Sequence, residues 1–317
     1  MVRGMRWRLI LSWLAVAPAA VWALIRVLGW DVWYPMAQLI AFTPYVAALS
    51  LLPLALTVLW RRWDAVIVAG LATIVLASCV LPRWLPDGDA LAGAKGPELR
   101  VLTANVLAGA ADTTKLLRIV REEKVDVLLV QELTQAFVAK ADAAGIAELL
   151  PHKVLYPARG VQGSGIYSRL PLRDDGLRRN PFGFGQAKAE LVPYGVLIES
   201  AHPVPPSERN SVPAWRDSFP HQPRATGDGP LRILAGDFNA TLDHSLLRDL
   251  ISSGYRDAAD VKGKGLIGTW GPYDGDRIPA VTLDRVLADR RIGVQQVRVF
   301  DLTGSDHRPV LAVLKLP

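Results

Sequence analysis

Apolar residues are spread along this chain in two different ways. Up to residue 81 they run almost unbroken: residues 9–25, 36–60 and 65–81 contain no charged side chain. Each run is close to the about 17–25 residues needed to cross a bilayer, so the pattern predicts three membrane-spanning helices. Pro18, Pro44 and Pro53 fall inside them and predict kinks rather than breaks. Beyond residue 98 the runs shorten and change period. Residues 99–104 are apolar, residues 114–123 carry Leu116, Leu117 and Val120 at helical spacing, and residues 125–130 are apolar again, which reads as strand, helix, strand. Asp112 or Thr113 suits the helix cap.

Further strand patterns follow at residues 165–168, 187–192 and 196–201, broken by Gly and Pro, and predict a mainly antiparallel middle. Residues 203–230 are too rich in proline for one helix and too long for an ordinary connection, so a substrate loop or a disordered excursion is expected there. Trp215 and Phe219 give that segment an apolar character suited to dipping among lipid headgroups. A buried strand over residues 231–235 leads into Gly236-Asp237-Phe238-Asn239. A helix is expected over residues 245–253, a Gly-rich loop over 263–275, and strands over 281–287, 294–299 and 310–316. The domain organisation that results is an anchor of three helices (residues 1–81), a linker (82–98) and one soluble domain (99–317).

Composition fits this division. Half of the 317 residues are hydrophobic, and the mean hydropathy of +0.22 is high for a purely soluble protein. Residues 1–81 hold six Arg, no Lys and two Asp, which is +4 of the formal +6 and leaves +2 for the rest. The basic character is therefore chiefly a topology signal rather than the footprint of a nucleic-acid surface. Arg3, Arg6 and Arg8 precede the first run, and Arg61 and Arg62 separate the second from the third. The first loop has only Arg26 and Asp31 beside it. The positive-inside rule then puts the N-terminus in the cytoplasm and everything after the third span outside. Cys79 is the lone cysteine and lies at the end of the third run, so no disulfide framework exists. Leu76-Ala77-Ser78-Cys79 resembles a lipoprotein cleavage box, but a small-residue helix end is the simpler reading.

Several predicted strands end in residues with chemistry to offer: Asn105, Glu132, His202, Asp237 with Asn239, Asp284, and Asp306 with His307. Asp237 and Asn239, two apart on an extended chain, share a face and can act on one oxygen. Carboxylates, amides and imidazoles without thiols suit a hard cation such as Mg2+ or Mn2+. His152, His221 and His244 belong to no motif and are expected on the surface or in loops.

The ordered set Thr103-Ala104-Asn105, Gln131-Glu132, the stretch from Gly165 to Pro171, His202, Gly236-Asp237-Phe238-Asn239, Leu283-Asp284-Arg285-Val286 and the stretch from Ser305 to Pro309 resembles the endonuclease/exonuclease/phosphatase superfamily. The likeness runs from Leu99 to the C-terminus. It implies an α/β (α+β) fold, a four-layer αββα sandwich of the DNase I-like type. Carried over residue by residue, it implies Glu132 as principal metal carboxylate with Asn105 and Asp306 completing the site for Mg2+ (or Mn2+). It implies Asp237 as the group that orients or deprotonates water, and Asn239 as the holder of that water or of a phosphate oxygen. His307, held by Asp284, would stabilise the transition state, and His202 would face the phosphate and serve as acid to the leaving group. Ser305 shapes a turn, Thr269 and Trp270 anchor a loop, and Arg285 stands where the family often has His and carries no chemistry. The layout is similar to membrane-anchored bacterial members associated with glycopeptide resistance.

The expected activity is that of a membrane-anchored, extracytoplasmic, metal-dependent phosphoesterase acting on a phosphate-containing lipid or envelope substrate. An extracytoplasmic metal-dependent nuclease is the alternative, and the modest charge of the soluble part counts against it. A scaffold that kept the fold and lost activity is a third reading, which the filled catalytic positions disfavour.

Overall fold

The computed structural model describes residues 2–317 except Asp274 and Asp276, with side chains described from Trp7 onward. Asp274 of the expected Gly-rich loop and the side chains of Arg3 and Arg6 lie outside the described residues. The contacts divide the chain into two units. One comprises Met1–Pro82 together with Leu242–Ser245, and the other Arg83–Thr241 together with Leu246–Pro317.

The first unit is helical. Its spans Trp7–Leu28, Met36–Leu59 and Trp63–Trp84 are each long and apolar enough to cross a membrane. The first helix, Val2–Leu28, continues through Pro18. The second span is a relay of short pieces, Met36–Leu39, Ile40–Phe42, Thr43–Leu49 and Leu51–Leu59, with Pro44 and Pro53 near the starts of the last two, where a missing N–H does least harm. Along Trp63–Val80, Ala65, Ala69, Ala72, Leu76 and Val80 form one buried stripe. Ala19 and Ala23 of the first helix are buried in the same cluster as Ala72 and Leu76, as expected where small side chains let helices approach closely. Leu14, Leu24, Leu52, Leu59, Ile67, Leu71 and Ile74 are exposed, the surface that lipid would cover. Cys79 is half-buried. His244, expected on the surface or in a loop, lies in the loop before helix Ser245–Ser252 and is buried there, with Nε2 2.9 Å from the Ala37 carbonyl oxygen. Nothing in its local sequence signals that position, because the partner is far away in the chain.

Among the described residues, the second unit holds twelve strands in two six-stranded sheets. In chain order they are β1 (Glu98–Asn105), β2 (Val127–Gln131), β3 (His152–Tyr156), β4 (Ser164–Ser168), β5 (Leu172–Arg179), β6 (Gly185–Leu191), β7 (Val196–Ala201), β8 (Arg232–Asp237), β9 (Tyr255–Asp257), β10 (Asp284–Asp289), β11 (Gly293–Val299) and β12 (Val310–Lys315). The first sheet runs β11-β12-β1-β2-β4-β3 and the second β5-β6-β7-β8-β10-β9. Among the described residues, β1 with β2 and β7 with β8 pair in parallel, and the other strand pairs are antiparallel.

Strand alternation sorts the core. Leu99, Val101, Val127, Leu129 and Ile166 of the first sheet share one buried cluster with Ala187, Ala189, Ile198, Ile233, Ala235 and Val286 of the second. The opposite face of the first sheet, with Leu102, Ala104, Leu128 and Val130, packs on Leu116, Leu117 and Val120 of helix Thr113–Glu122 and on Phe137 and Ala141 of helix Gln135–Ala143. Asp112 caps the first of these helices by accepting the Lys115 N–H.

Three expectations need correction or filling in. The 203–230 segment contains a helix, Val212–Ser218, and both Trp215 and Phe219 are buried, so neither is free to enter a lipid surface. An indole and a phenyl ring gain more from the core than from a wet surface. The segment expected as a linker is bonded along the second unit. Asp87 N–H donates to the Val261 carbonyl, Val294 N–H to that of Ala90 and Gly96 N–H to that of Leu316. Arg285 is buried in an ion pair with Asp257 and also donates to the Thr282 carbonyl at 2.8 Å, so its charge is used inside the fold. Removing one member of such a buried pair costs about 3–5 kcal/mol.

Candidate active site

The site forms where the apolar core between the strands gives way to polar side chains. Asn105 ends β1 on the same face as Leu99 and Val101, and Asp237 ends β8 on the same face as Ile233 and Ala235. Just beneath them Thr103 Oγ1 donates to Gln131 Oε1 at 3.1 Å and Gln131 Nε2 to Ser200 Oγ at 2.9 Å, a bonded layer that joins β1 and β2 to β7. Antiparallel pairing of β8 with β10 sets Asp284 opposite Asp237.

Glu132 follows β2 with φ +60, and Leu107 and Ala108 follow β1 with φ +47 and +49. Such conformations cost about 1–2 kcal/mol for a residue with a side chain and recur where geometry serves a site. Here they aim donors. Ala108 N–H reaches Glu132 Oε2 at 2.7 Å, and Leu107 N–H reaches Asn105 Oδ1 at 3.0 Å. Asn105 Nδ2 in turn bridges two carboxylates, donating to Glu132 Oε1 at 3.0 Å and to Asp237 Oδ2 at 3.2 Å.

Asp237 Oδ1 accepts the Asn239 N–H at 2.8 Å, while Oδ2 faces His307 Nε2 at 3.5 Å and His202 Nε2 at 3.8 Å. His307 Nδ1 is 2.8 Å from Asp284 Oδ2, and Asp284 is held from behind by Thr269 Oγ1, which accepts its N–H at 2.9 Å. Ser305 Oγ donates to the Asn105 carbonyl at 2.9 Å and accepts the His307 N–H at 3.1 Å, which pins the turn bearing Asp306 and His307. Trp270 Nε1 donates to Asp306 Oδ2 at 2.9 Å. Asn239 sits at φ +47, with Nδ2 on the Pro203 carbonyl at 3.0 Å and its own carbonyl accepting Trp215 Nε1 at 3.1 Å. All eight residues singled out from the sequence therefore converge on one place. Thr269, Trp270 and Trp215 bond to Asp284, Asp306 and Asn239 from outside, contacts with no signal in local spacing.

Electrostatics separates the two histidines. Burial opposes a charge on His307, yet the carboxylates of Asp284 and Asp237 outweigh it and push its pKa up to about 10. His202 is buried beside the Phe184 ring, and burial, only partly offset by Asp237, takes it down to about 4. His307 is thus an imidazolium at neutral pH and His202 a neutral ring, a hydrogen-bonding group rather than a charged acid. Burial raises the carboxyls of Asp237 and Glu132, against the pull of His307 in the first case and of the Asn105 and Ala108 donors in the second.

The carboxylates of Glu132, Asp237, Asp284 and Asp306 outnumber the imidazolium that touches them. Oδ1 of Asp284 and Oδ1 of Asp306 are buried without a hydrogen-bond partner. Excess buried anion with orphaned oxygens is the donor set a hard divalent cation stabilises. Among the described residues, Asp237, Asp284 and His307 offer ligand atoms all within 4.8 Å of one another and could hold such an ion.

Comparison with known proteins agrees with this geometry. The sequence profile of the Endonuclease/Exonuclease/phosphatase family matches residues 102–307. A search of curated protein sequences found no match. An endonuclease/exonuclease/phosphatase from Beutenbergia cavernae is similar in structure, with a TM-score of 0.54 at 18% identity over 69% of this chain and 72% of that one. An AP endonuclease from Archaeoglobus fulgidus has a TM-score of 0.54 at 14% identity, covering 68% of this chain and 98% of its own. D. rerio TDP2 complexed with single strand DNA product has 0.52 at 15%, covering 69% and 99%. At such identities the likeness is one of fold.

The charge on His307 is directly measurable. In metal-free protein, nitrogen NMR of labelled histidine should find both ring nitrogens of His307 protonated at pH 8. Its folded pKa is raised from 6.5, so the stability it contributes is complete below about pH 6.5 and is lost as pH rises through about 10. A His307 ring found neutral at pH 8 would contradict the pairing.

Proposed function

The chain belongs to the endonuclease/exonuclease/phosphatase family and has its DNase I-like mixed α/β fold, and from that premise we propose that it is a membrane-anchored, extracytoplasmic, divalent-metal-dependent phosphoesterase of a phosphate-bearing lipid or envelope substrate. The observation that carries the proposal is the pair at the centre of the site, the buried Asp237 carboxyl facing Nε2 of His307 at 3.5 Å with Asp284 on the other ring nitrogen. The finer architecture we propose is the four-layer αββα sandwich. A core cluster drawing on both sheets, with helices on the other face of the first sheet, supports it.

Water bound beside Asp237 gives its proton to the carboxylate as its oxygen attacks phosphorus. Burial has raised Asp237 toward the proton affinity a base needs at neutral pH. The Asn239 N–H fixes one Asp237 oxygen, and the other, which also accepts from Asn105, has a second lone pair for the water. Charge builds on the non-bridging phosphoryl oxygens as the bond to the leaving oxygen breaks, and His307, kept protonated by Asp284, donates Nε2–H to them. His202 supplies a neutral N–H or lone pair on the same side, and Asn239 a carboxamide at the rim.

The metal ion of the family fits Glu132 and Asp306, with Asn105 beside them, better than it fits the group built on His307. With Asp284 on Nδ1 and Asp237 facing Nε2, His307 is held as an imidazolium, and a ring protonated at both nitrogens has no lone pair to give. The chemistry such an ion supplies when bound is neutralisation of phosphoryl charge as a Lewis acid. Asn105 and the Ala108 N–H orient the Glu132 oxygens for it. The ion we propose is Mg2+ or Mn2+, given oxygen donors and no thiol.

A lipid-phase substrate is supported by connectivity. Few residues separate the third span from β1, and tethering raises the local concentration of membrane phosphates over soluble competitors. Arg8, Arg61 and Arg62 favour the cytoplasm for their ends of the spans, which supports an external catalytic domain, the layout of the glycopeptide-resistance-associated members.

Three experiments test these readings. Asp237→Asn and His307→Ala should each lower turnover of the preferred substrate by at least about a hundredfold, and Glu132→Gln should weaken the Mn2+ dependence. The preferred substrate should emerge from a phosphate-release screen across lipid diphosphates, phospholipids and DNA. A folded Asp237→Asn protein at the parental rate, or faster cleavage of DNA than of any lipid, would overturn the corresponding part. Reporter fusions after Glu98 should be active only for reporters that require export; an active cytoplasm-only reporter there would reverse the topology.

A further inference from the structure

The chain leaves the catalytic unit soon after Asp237. Thr241 is the last residue of that stretch, and Leu242–Ser245 belong with the membrane helices. Inside the membrane unit these four residues are held by polar groups of the first span and the loop behind it. Arg26, in the last turn of Val2–Leu28, donates Nε–H to Asp243 Oδ1 at 2.7 Å and Nη2–H to the Leu242 carbonyl at 3.1 Å. The two side chains are 10% and 0% exposed. Asp31 Oδ2 accepts the Ser245 N–H at 2.9 Å. Gly29 lies at φ +67, and a Cβ there would come within 3.1 Å of the Ser245 Cβ, so glycine suits this approach on both counts.

An arginine near the end of an apolar span ordinarily extends its head to the interface. Arg26 turns instead to a buried carboxylate six residues beyond the proposed base Asp237. A buried pair of this kind is a weak source of net stability, and its best-attested use is to fix one arrangement over others. What it fixes here is the far end of a short segment whose near end carries the chemistry. At the near end Asn239 is held at φ +47, with its N–H on Asp237 and its carbonyl on Trp215. Without the two hydrogen bonds from Arg26 the far end is held less tightly, so the segment would open more readily toward ordinary backbone conformations and the hydrogen bond that orients Asp237 would weaken.

We propose that Arg26 and Asp243 are positioning residues for catalysis: the membrane anchor is part of the catalytic machinery because it clamps the segment that orients Asp237. Only the kinetic half of its test rests on the phosphoesterase reading.

The test uses full-length protein in detergent micelles, comparing the parent with Arg26→Met, Arg26→Lys and the near-isosteric Asp243→Asn. Backbone hydrogen exchange of residues 238–242 and turnover of bis(p-nitrophenyl) phosphate with Mn2+ are both read. In Arg26→Met, exchange over 238–242 should quicken at least about tenfold while residues 101–104 of the first sheet stay unchanged, as expected of local opening. Its kcat should fall about tenfold with KM within about twofold, the pattern of lost transition-state orientation. Arg26→Lys should lie between parent and Arg26→Met, and Asp243→Asn should follow Arg26→Met if that variant does not fold. Unchanged exchange over 238–242, a rise spread evenly over the whole chain, or local loosening with parental kcat would each overturn the proposal. If the parent does not hydrolyse the probe, the phosphoesterase reading is what fails, and the exchange result alone decides whether Arg26 holds the segment.

Discussion

The site depends on keeping several carboxylates out of water at one end of an apolar core. Glu132, Asp237 and Asp284 are all buried, and each would be costly there alone. Their neighbours answer the cost in three ways. Asn105 donates to two of them, the Ala108 N–H at a positive-φ turn donates to Glu132, and His307 stands between Asp284 and Asp237. Oxygens of Asp284 and Asp306 remain unmatched, and that remainder is the structural demand for a cation.

The fold exists around this demand. Two sheets meet through small and branched side chains, then through the Thr103–Gln131–Ser200 layer, and only then through ionisable groups. Thr269, Trp270 and Ser305 support Asp284, Asp306 and the turn bearing His307 from outside the site, and so fix where His307 stands beside Asp237. Arg26 and Asp243 extend the same logic to the segment that follows Asp237.

What was legible in the sequence follows from burial. β1, β2, β7, β8 and β12 have continuous or alternating apolar residues, and their expected bounds lie within a residue or two of the observed ones. The three spans were legible for the same reason. β5, with Arg173, Asp174, Asp175 and Arg178, was missed because an edge strand is held by its ladder to β6 rather than by a buried face. The ordered polar residues at strand ends indicated the site, since each needed only its strand to be placed. Contacts such as Trp215 with Asn239 or Arg26 with Asp243 join positions whose local patterns are ordinary, and only the tertiary structure brings them together. Trp215 misled in a specific way, because an aromatic residue among prolines reads alike whether it faces lipid or anchors a loop.

The demand for a cation can be measured without knowing the substrate. The unfolding midpoint of chelator-treated full-length protein should rise on adding Mn2+, since a ligand at about a hundred times its Kd stabilises by about 2.7 kcal/mol. The rise should vanish in Glu132→Gln combined with Asp306→Asn, whose metal-free midpoint should be equal to or above that of the parent because repelling charge has been removed. A parent that gains nothing from Mn2+ or Mg2+, or a double variant that gains as much, would contradict the view that these buried carboxylates are organised to hold a metal ion.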